Sequence, residues 1–235
     1  MLPALFLAAA ISTSSPLREV VYKVSFTRLL DSNQETYGGE IIDAMGKVSM
    51  SPPFNSKRGI ATDSGTISID VMQVAGDVLG IRLTEHWDGT TPSSTYLGNV
   101  GADGSVNFTD PQVSDTSRSV LSFFSPGFLG GRDVDKGVTW TRTASAQGLD
   151  VSSTFTIGDV VGTVADIDEM TIIKSHSVRS MDTIMTGSIM YKPTMLVPIS
   201  GKIESRANRS DAETTTDVAT VIHFERVSDS LDTNP

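Results

Sequence analysis

A chain of 235 residues with 38% hydrophobic and 20% charged residues has ordinary globular composition and can bury a sizeable core, which excludes a disordered polypeptide. A formal charge of -10 and the lack of a clustered basic face count against nucleic acid or an anionic membrane surface as a partner. With no cysteine, disulfides, thiolate metal sites, a cysteine nucleophile and the lipid-modified cysteine of a bacterial lipoprotein are all excluded.

Residues 1–15 carry an uncharged apolar run, Leu2 to Ile11, of the length of a signal-peptide h-region and too short to cross a bilayer. Ala8, Ala9 and Ala10 supply the small residues a signal peptidase reads, so export to the periplasm or the exterior is expected. From 16 onward one β-rich domain is expected. Val20, Tyr22, Val24 and Phe26 alternate with polar or outward positions, the period of a strand with one buried face. The stretch 31–39 is turn-rich, 41–50 can resume as a strand, and Pro52-Pro53 breaks it. Ile67, Ile69 and Val71, then Leu79, Ile81 and Leu83, make a hairpin around Ala75-Gly76-Asp77, and 96–100 with 105–108 make another. Residues 16–109 thus read as a first antiparallel meander.

Residues 110–137 break the β pattern. Asp110 as cap and Pro111 at the first position open a helix of about four turns, with Val113, Ser117, Val120, Leu121 and Phe124 on one face. Ser125-Pro126-Gly127 ends it. Residues 138–227 read as a second meander, whose last strand is 214–226, and 228–235 as a flexible acidic tail. A lone amphipathic helix must bury its apolar face, and a many-stranded sheet curls through its own twist. The expected fold is therefore mainly β: a curved antiparallel sheet or incompletely closed barrel, with one central helix packed on its concave face.

Motifs for chemistry are sparse. Glu85, His86 and Asp88 gather in sequence, but on a strand Glu85 and His86 point to opposite faces. His176 and His223 are isolated, and no zinc-ligand spacing occurs. Asp166, Asp168 and Glu169 could offer oxygen ligands, yet the glycine-containing calcium loop is missing, and a solvated acidic edge explains them as well. There is no Gly-x-Ser-x-Gly elbow, and Gly127, Gly130 and Gly131 follow a helix instead of preceding one, the wrong order for a phosphate cradle. Carboxylates that converge only in the fold would leave a hydrolase possible. Aromatic content of 6% is too low for the two girdles of a membrane β-barrel.

The order of apolar leader, antiparallel strands, helix with a Phe/Pro/Gly exit, Gly137-Val138-Thr139-Trp140 and the strand Thr186-Gly187-Ser188-Ile189-Met190-Tyr191 resembles bacterial exported proteins of uncharacterised function. Some of these share the half-barrel shape of periplasmic lipoprotein and lipid carriers. That resemblance covers 20–227 as a pattern of elements, and it implies a concave face and covering helix that shield an acyl chain. The expected function is then an exported, non-catalytic protein that binds or carries a lipid-like ligand between sheet and helix. Val120, Leu121, Phe124, Phe128 and Trp140 are the expected lining, with no metal or cofactor. Phe123, Leu129, Met181, Met185, Met190 and Met195 extend the apolar set, which suits an adaptable pocket or an ordinary core. The competing expectation is a structural or interaction module of the cell envelope, with a filled core and a partner at an edge strand.

Overall fold

The computed structural model describes residues 15–35, 41–42, 48–49, 54–89, 92–110, 112–125, 127–129, 131–146, 149–175, 181–210 and 214–232. The expected signal segment, apart from Ser15, lies outside them, as do Pro111, Pro126 and His176.

The strands run in chain order β1 (Arg18–Glu35), β2 (Ile41–Ile42), β3 (Val48–Ser49), β4 (Phe54–Ala75), β5 (Val78–Trp87), β6 (Ser94–Val100) and β7 (Val106–Phe108), then β8 (Thr139–Ala146), β9 (Leu149–Val161), β10 (Val164–Ser175), β11 (Met181–Lys192), β12 (Val197–Ser210) and β13 (Thr214–Asp229). Between β7 and β8 lie the helix α1 (Asp115–Leu121) and a 3₁₀ turn at Ser122–Phe124. Eleven strands form one antiparallel sheet in the order β7-β6-β5-β4-β1-β13-β12-β11-β10-β9-β8, and β2 and β3 pair with each other. Apart from β2 and β3, which lie between β1 and β4 in the chain, each meander is therefore a run of sequential neighbours. The first and last long strands join them at the centre through an extended register, Val20 opposite Asp229 to Gln34 opposite Thr214.

A flat sheet of this width would hold β7 and β8 about 48 Å apart, ten steps of ~4.8 Å. Instead the two edges meet. A Cβ on Gly104, in the β6–β7 turn, would lie 2.3 Å from Nη1 of Arg142 on β8. The sheet is thus curled, and it stays open because β7 and β8 are not paired. The segment that connects these edges crosses the concave side. Phe124 packs edge-on to Tyr22 of β1 at 5.9 Å, Phe123 stacks near Phe224 of β13 at 6.3 Å, and Tyr191 of β11 donates its hydroxyl to the Phe123 carbonyl at 3.3 Å. The curved sheet with one central helix on its concave face is the architecture.

Alternation sets the core. Val20, Tyr22 and Val24 of β1, Ile67 and Ile69 of β4, Ile81 and Leu83 of β5, Ile157 of β9 and Ile167 of β10 are all buried on the concave face. The Tyr22 ring carries its hydroxyl into this core and donates it to the Pro198 carbonyl at 2.7 Å. Desolvation holds that phenol well above its ordinary pKa, against the pull of Arg226 and Arg18.

Four details differ from the sequence reading. The helix is shorter and starts later. Asp110 accepts from the Gln112 N–H at 2.8 Å in a local turn, so the cap is Ser114, whose Oγ accepts from the Ser117 N–H at 3.1 Å. β1 and β4 extend far beyond 20–26 and 66–74, since pairing from Arg18 opposite Val71 to Glu35 opposite Phe54 overrides the weak strand propensity of Asn33, Asn55 and Gly59. Within 41–50 the described residues form β2 and β3, which pair with each other and not with the main sheet. Finally, Ser228 and Asp229 belong to β13 and not to a tail. Asp229 is buried and accepts from Arg18 Nε at 3.0 Å, Arg226 Nη1 at 2.8 Å and the Leu231 N–H at 3.1 Å. Burial alone would raise its pKa, but the Arg18 hydrogen bond, the Leu231 N–H and the two guanidinium charges outweigh it and hold the carboxyl below its usual range.

Candidate functional site

α1 divides the concave space in two. Its Val120 and Leu121, with Phe123 and Phe124 of the 3₁₀ turn, face a core in which all four are buried. Phe128 is the hub of that core. Its ring lies 5.0 Å from Tyr191, 5.1 Å from Phe155, 5.5 Å from Trp140 and 5.5 Å from Phe123. Centroid separations in this range leave no room between rings. Val120, Leu121, Phe124, Phe128 and Trp140 are thus gathered beside the helix as buried neighbours. Phe124 also borders a cavity of about 230 Å³ with Leu17, Val71, Leu79 and Leu196.

The opposite flank of α1 faces space. Arg118, Ser119 and Ser122 border a cavity of about 400 Å³ whose other walls are the β6–β7 turn and strands β8 to β11. Its apolar surface comes from Val106, Val151, Phe155, Ile173 and Met185, and its polar surface includes Arg142, Ser153, Glu169 and Thr171. Register explains the mixture. Trp140, Phe155, Glu169 and Gly187 are aligned across β8 to β11, and the next inward row is Arg142, Ser153, Thr171 and Met185. The trough is where the inward face changes from packed rings to small and polar groups.

Arg142 reaches from β8 toward the far edge of the sheet. Its guanidinium lies 5.1 Å from the Phe128 ring centre and 5.9 Å from that of Phe155, and Nη2 is buried without a hydrogen-bond partner among the described residues. Desolvation, followed by the charge of Arg132, lowers its pKa from the ordinary arginine value. Glu169 is buried on β10. Oε1 accepts from Thr171 at 2.8 Å, while Oε2 lacks a partner among the described residues. A Cβ on Gly187 would sit 3.1 Å from Oε2, so the glycine makes room for the carboxylate. Burial pushes this carboxyl up from its ordinary value, and Thr171 and Arg142 only partly oppose it.

The other clusters separate. Glu85 turns inward and is buried, where Oε1 accepts from the Ser114 N–H at 3.1 Å and the Ser114 hydroxyl at 2.7 Å, and Oε2 from Trp87 Nε1 at 3.3 Å. His86 faces solvent near Ser93 at 3.2 Å, and Asp88 takes the Ser64 hydroxyl at 2.5 Å. Glu85 therefore anchors the start of the helix. Asp166 and Asp168 are exposed on the outer face, away from the inward Glu169. Of the methionines, Met185 borders the trough and Met195 packs on the core, but Met190 points outward and the side chain of Met181 lies outside the described residues. Among the described residues no group of three or more His, Asp and Glu comes together as a metal would require, and no helix is long and apolar enough to cross a membrane.

Arg142 and Glu169 are the residues that sequence reasoning missed as a pair. The signal was present for Glu169: positions 165, 167, 169, 171 and 173 read Ala, Ile, Glu, Thr, Ile, which puts a carboxylate in a buried row. For Arg142 no local signal exists, because its neighbours come from a sheet edge distant in sequence.

No family model and no curated protein matches the chain. Among solved structures the chain is similar to lipovitellin, in a structure concerned with lipid–protein interactions in that protein. The TM-score is 0.48 and the identity 11%, over 94% of this chain. The chain spans 26% of the length of that lipovitellin chain.

Proposed function

We propose that this chain is an exported, non-catalytic binding protein that holds an apolar, acyl-type ligand in the trough between α1 and β8–β11. One observation carries the reading: the cavity of about 400 Å³, with Phe155, Ile173 and Met185 on its apolar wall and a few buried polar groups beside them. Small-molecule sites commonly have 300–1,000 Å³ and this composition, an apolar lining with few polar groups that fix orientation. The ligand sits on the flank of α1 opposite the aromatic core, while Val120, Leu121, Phe124, Phe128 and Trp140 hold the helix at its height above the sheet. Export is supported by the apolar run of residues 2–11.

The test uses N-phenyl-1-naphthylamine, an apolar fluorophore. The native protein is expected to bind it with enhanced emission. Ala144, exposed and on the wall of the trough, is the position to obstruct. Ala144→Trp is expected to weaken binding about tenfold, a change of about 1.4 kcal/mol, without loss of the fold. A wild-type protein that does not take up the dye, or an Ala144→Trp variant that binds it equally well, overturns the reading.

A second reading, a protein-docking module, has its own support. On the outer face Ile60, Leu29, Ala219, Arg206 and Ile184 are aligned across five strands, and a groove of about 550 Å³ runs along them. Ile60 and Ile184 are exposed there. Copurification of a protein that is lost in Ile184→Lys, with dye binding unchanged, would favour it.

A further inference from the structure

Glu169 places a carboxylate on the wall of the trough. It is buried, and among the described residues only one of its carboxylate oxygens is hydrogen-bonded. Arg142 borders the same cavity, and its Nη2 is buried without a partner among the described residues. The two line one space but form no ion pair, so the attraction between them offsets only part of the desolvation of each. A buried polar atom without a partner is a cost the fold does not recover by itself. The charged side chains around the cavity are Asp103, Arg118, Arg142 and Glu169, two of each sign. An anionic head group would meet Glu169, and a cationic one would meet two guanidinium groups. A group that both accepts and donates a hydrogen bond satisfies both sides.

We infer that, resting on the trough reading above, the ligand is an uncharged acyl amphiphile whose hydroxyl or amide head accepts from Arg142 and donates to Glu169. Its chain lies against Phe155, Ile173 and Met185. The overall formal charge of -10 acts in the same direction, since it opposes the approach of fatty-acid anions.

The experiment is displacement of bound N-phenyl-1-naphthylamine by monolaurin, an uncharged hydroxylated ester, and by laurate, its anionic counterpart with the same chain. The readout is the ratio of the two affinities in the wild type and in Glu169→Leu, so the difference in intrinsic hydrophobicity cancels. Monolaurin is expected to be preferred in the wild type, and the ratio is expected to fall about tenfold in Glu169→Leu, the equivalent of one buried hydrogen bond. The fluorophore's affinity is measured for each variant separately and enters both affinities of the ratio equally. Glu169→Leu is expected to fold, because leucine replaces an acid with an unpartnered oxygen. Glu169→Gln, which keeps an acceptor, is expected to retain most of the preference and separates a polar contact from a local collapse. Laurate competing as well as monolaurin, or a ratio unchanged in Glu169→Leu, overturns the head-group assignment and leaves the trough reading in place. A wild type that binds no fluorophore overturns both.

Discussion

Phe128 lies among four aromatic rings of the core, and its role follows from its position after the helix. The chain leaves α1 through Ser125, whose Oγ lies 2.8 Å from the Gly101 carbonyl oxygen and 2.6 Å from that of Ala102, and this delivers Phe128 among Phe123, Trp140, Phe155 and Tyr191. Removing such a ring loses its transfer energy and leaves a cavity. Phe128→Ala is expected to cost about 3–5 kcal/mol in denaturant unfolding. Asp229 supplies the pH dependence at this scale. Its carboxyl titrates lower in the folded than in the unfolded chain, where its value is near 3.8. The stability it contributes is therefore complete above that value and is lost as pH falls through the lower, folded one. Its side chain is fully buried against Arg18 and Arg226, so Asp229→Asn is expected to cost about 3 kcal/mol at neutral pH and to flatten the acid limb of a stability–pH profile. Glu169 has the opposite sign, since its raised pKa makes stability fall as pH climbs above the ordinary carboxyl range.

At the scale of elements, α1 is too short to be stable alone and is held from outside. Ser114 serves twice: its Oγ accepts from the Ser117 N–H, while its own hydroxyl proton goes to Glu85 on β5. Ser114→Ala breaks both and is expected to cost about 2 kcal/mol by thermal or denaturant unfolding, the upper end of the range for a cap. The exit is equally fixed. A Cβ on Gly127 would fall 2.2 Å from the Ala102 carbonyl oxygen, so the backbone after the helix lies directly on the β6–β7 turn. Much of this was legible from the chain. The alternation of Val20, Tyr22 and Val24, the hairpin at Gly76 and the helical break after Phe108 all arise from local patterning. The later helix start was not, because Asp110 and Ser114 are both good caps and the choice is made by Glu85, which is distant in sequence. The strand segment 54–65 was illegible for a similar reason. Its polar, Gly-containing sequence is extended only because β1 lies beside it.

For the molecule as a whole, the order of strands places both meanders around a central seam between β1 and β13, and it brings the two outer strands toward each other behind the helix. The curl that joins Gly104 to Arg142 is what creates the trough. Of the apolar residues named from sequence, Val120, Leu121, Phe128 and Trp140 are packed in the core beside the helix, and Phe124 also borders the smaller cavity. The open side depends on Arg142, Ser153, Glu169 and Thr171, whose inward rows become a site only after the sheet has curled. A helix laid on a curved sheet therefore does not by itself say which flank is hollow; side-chain volume across the register decides it. The most direct measurement is a crystal structure of the protein soaked with a brominated long-chain alcohol, with bromine located by anomalous scattering. The trough reading predicts a bromine peak bordered by Phe155, Ile173 and Met185, between α1 and β10. A peak only in the outer groove beside Leu29 and Ile184, or none on the protein at all, would contradict it.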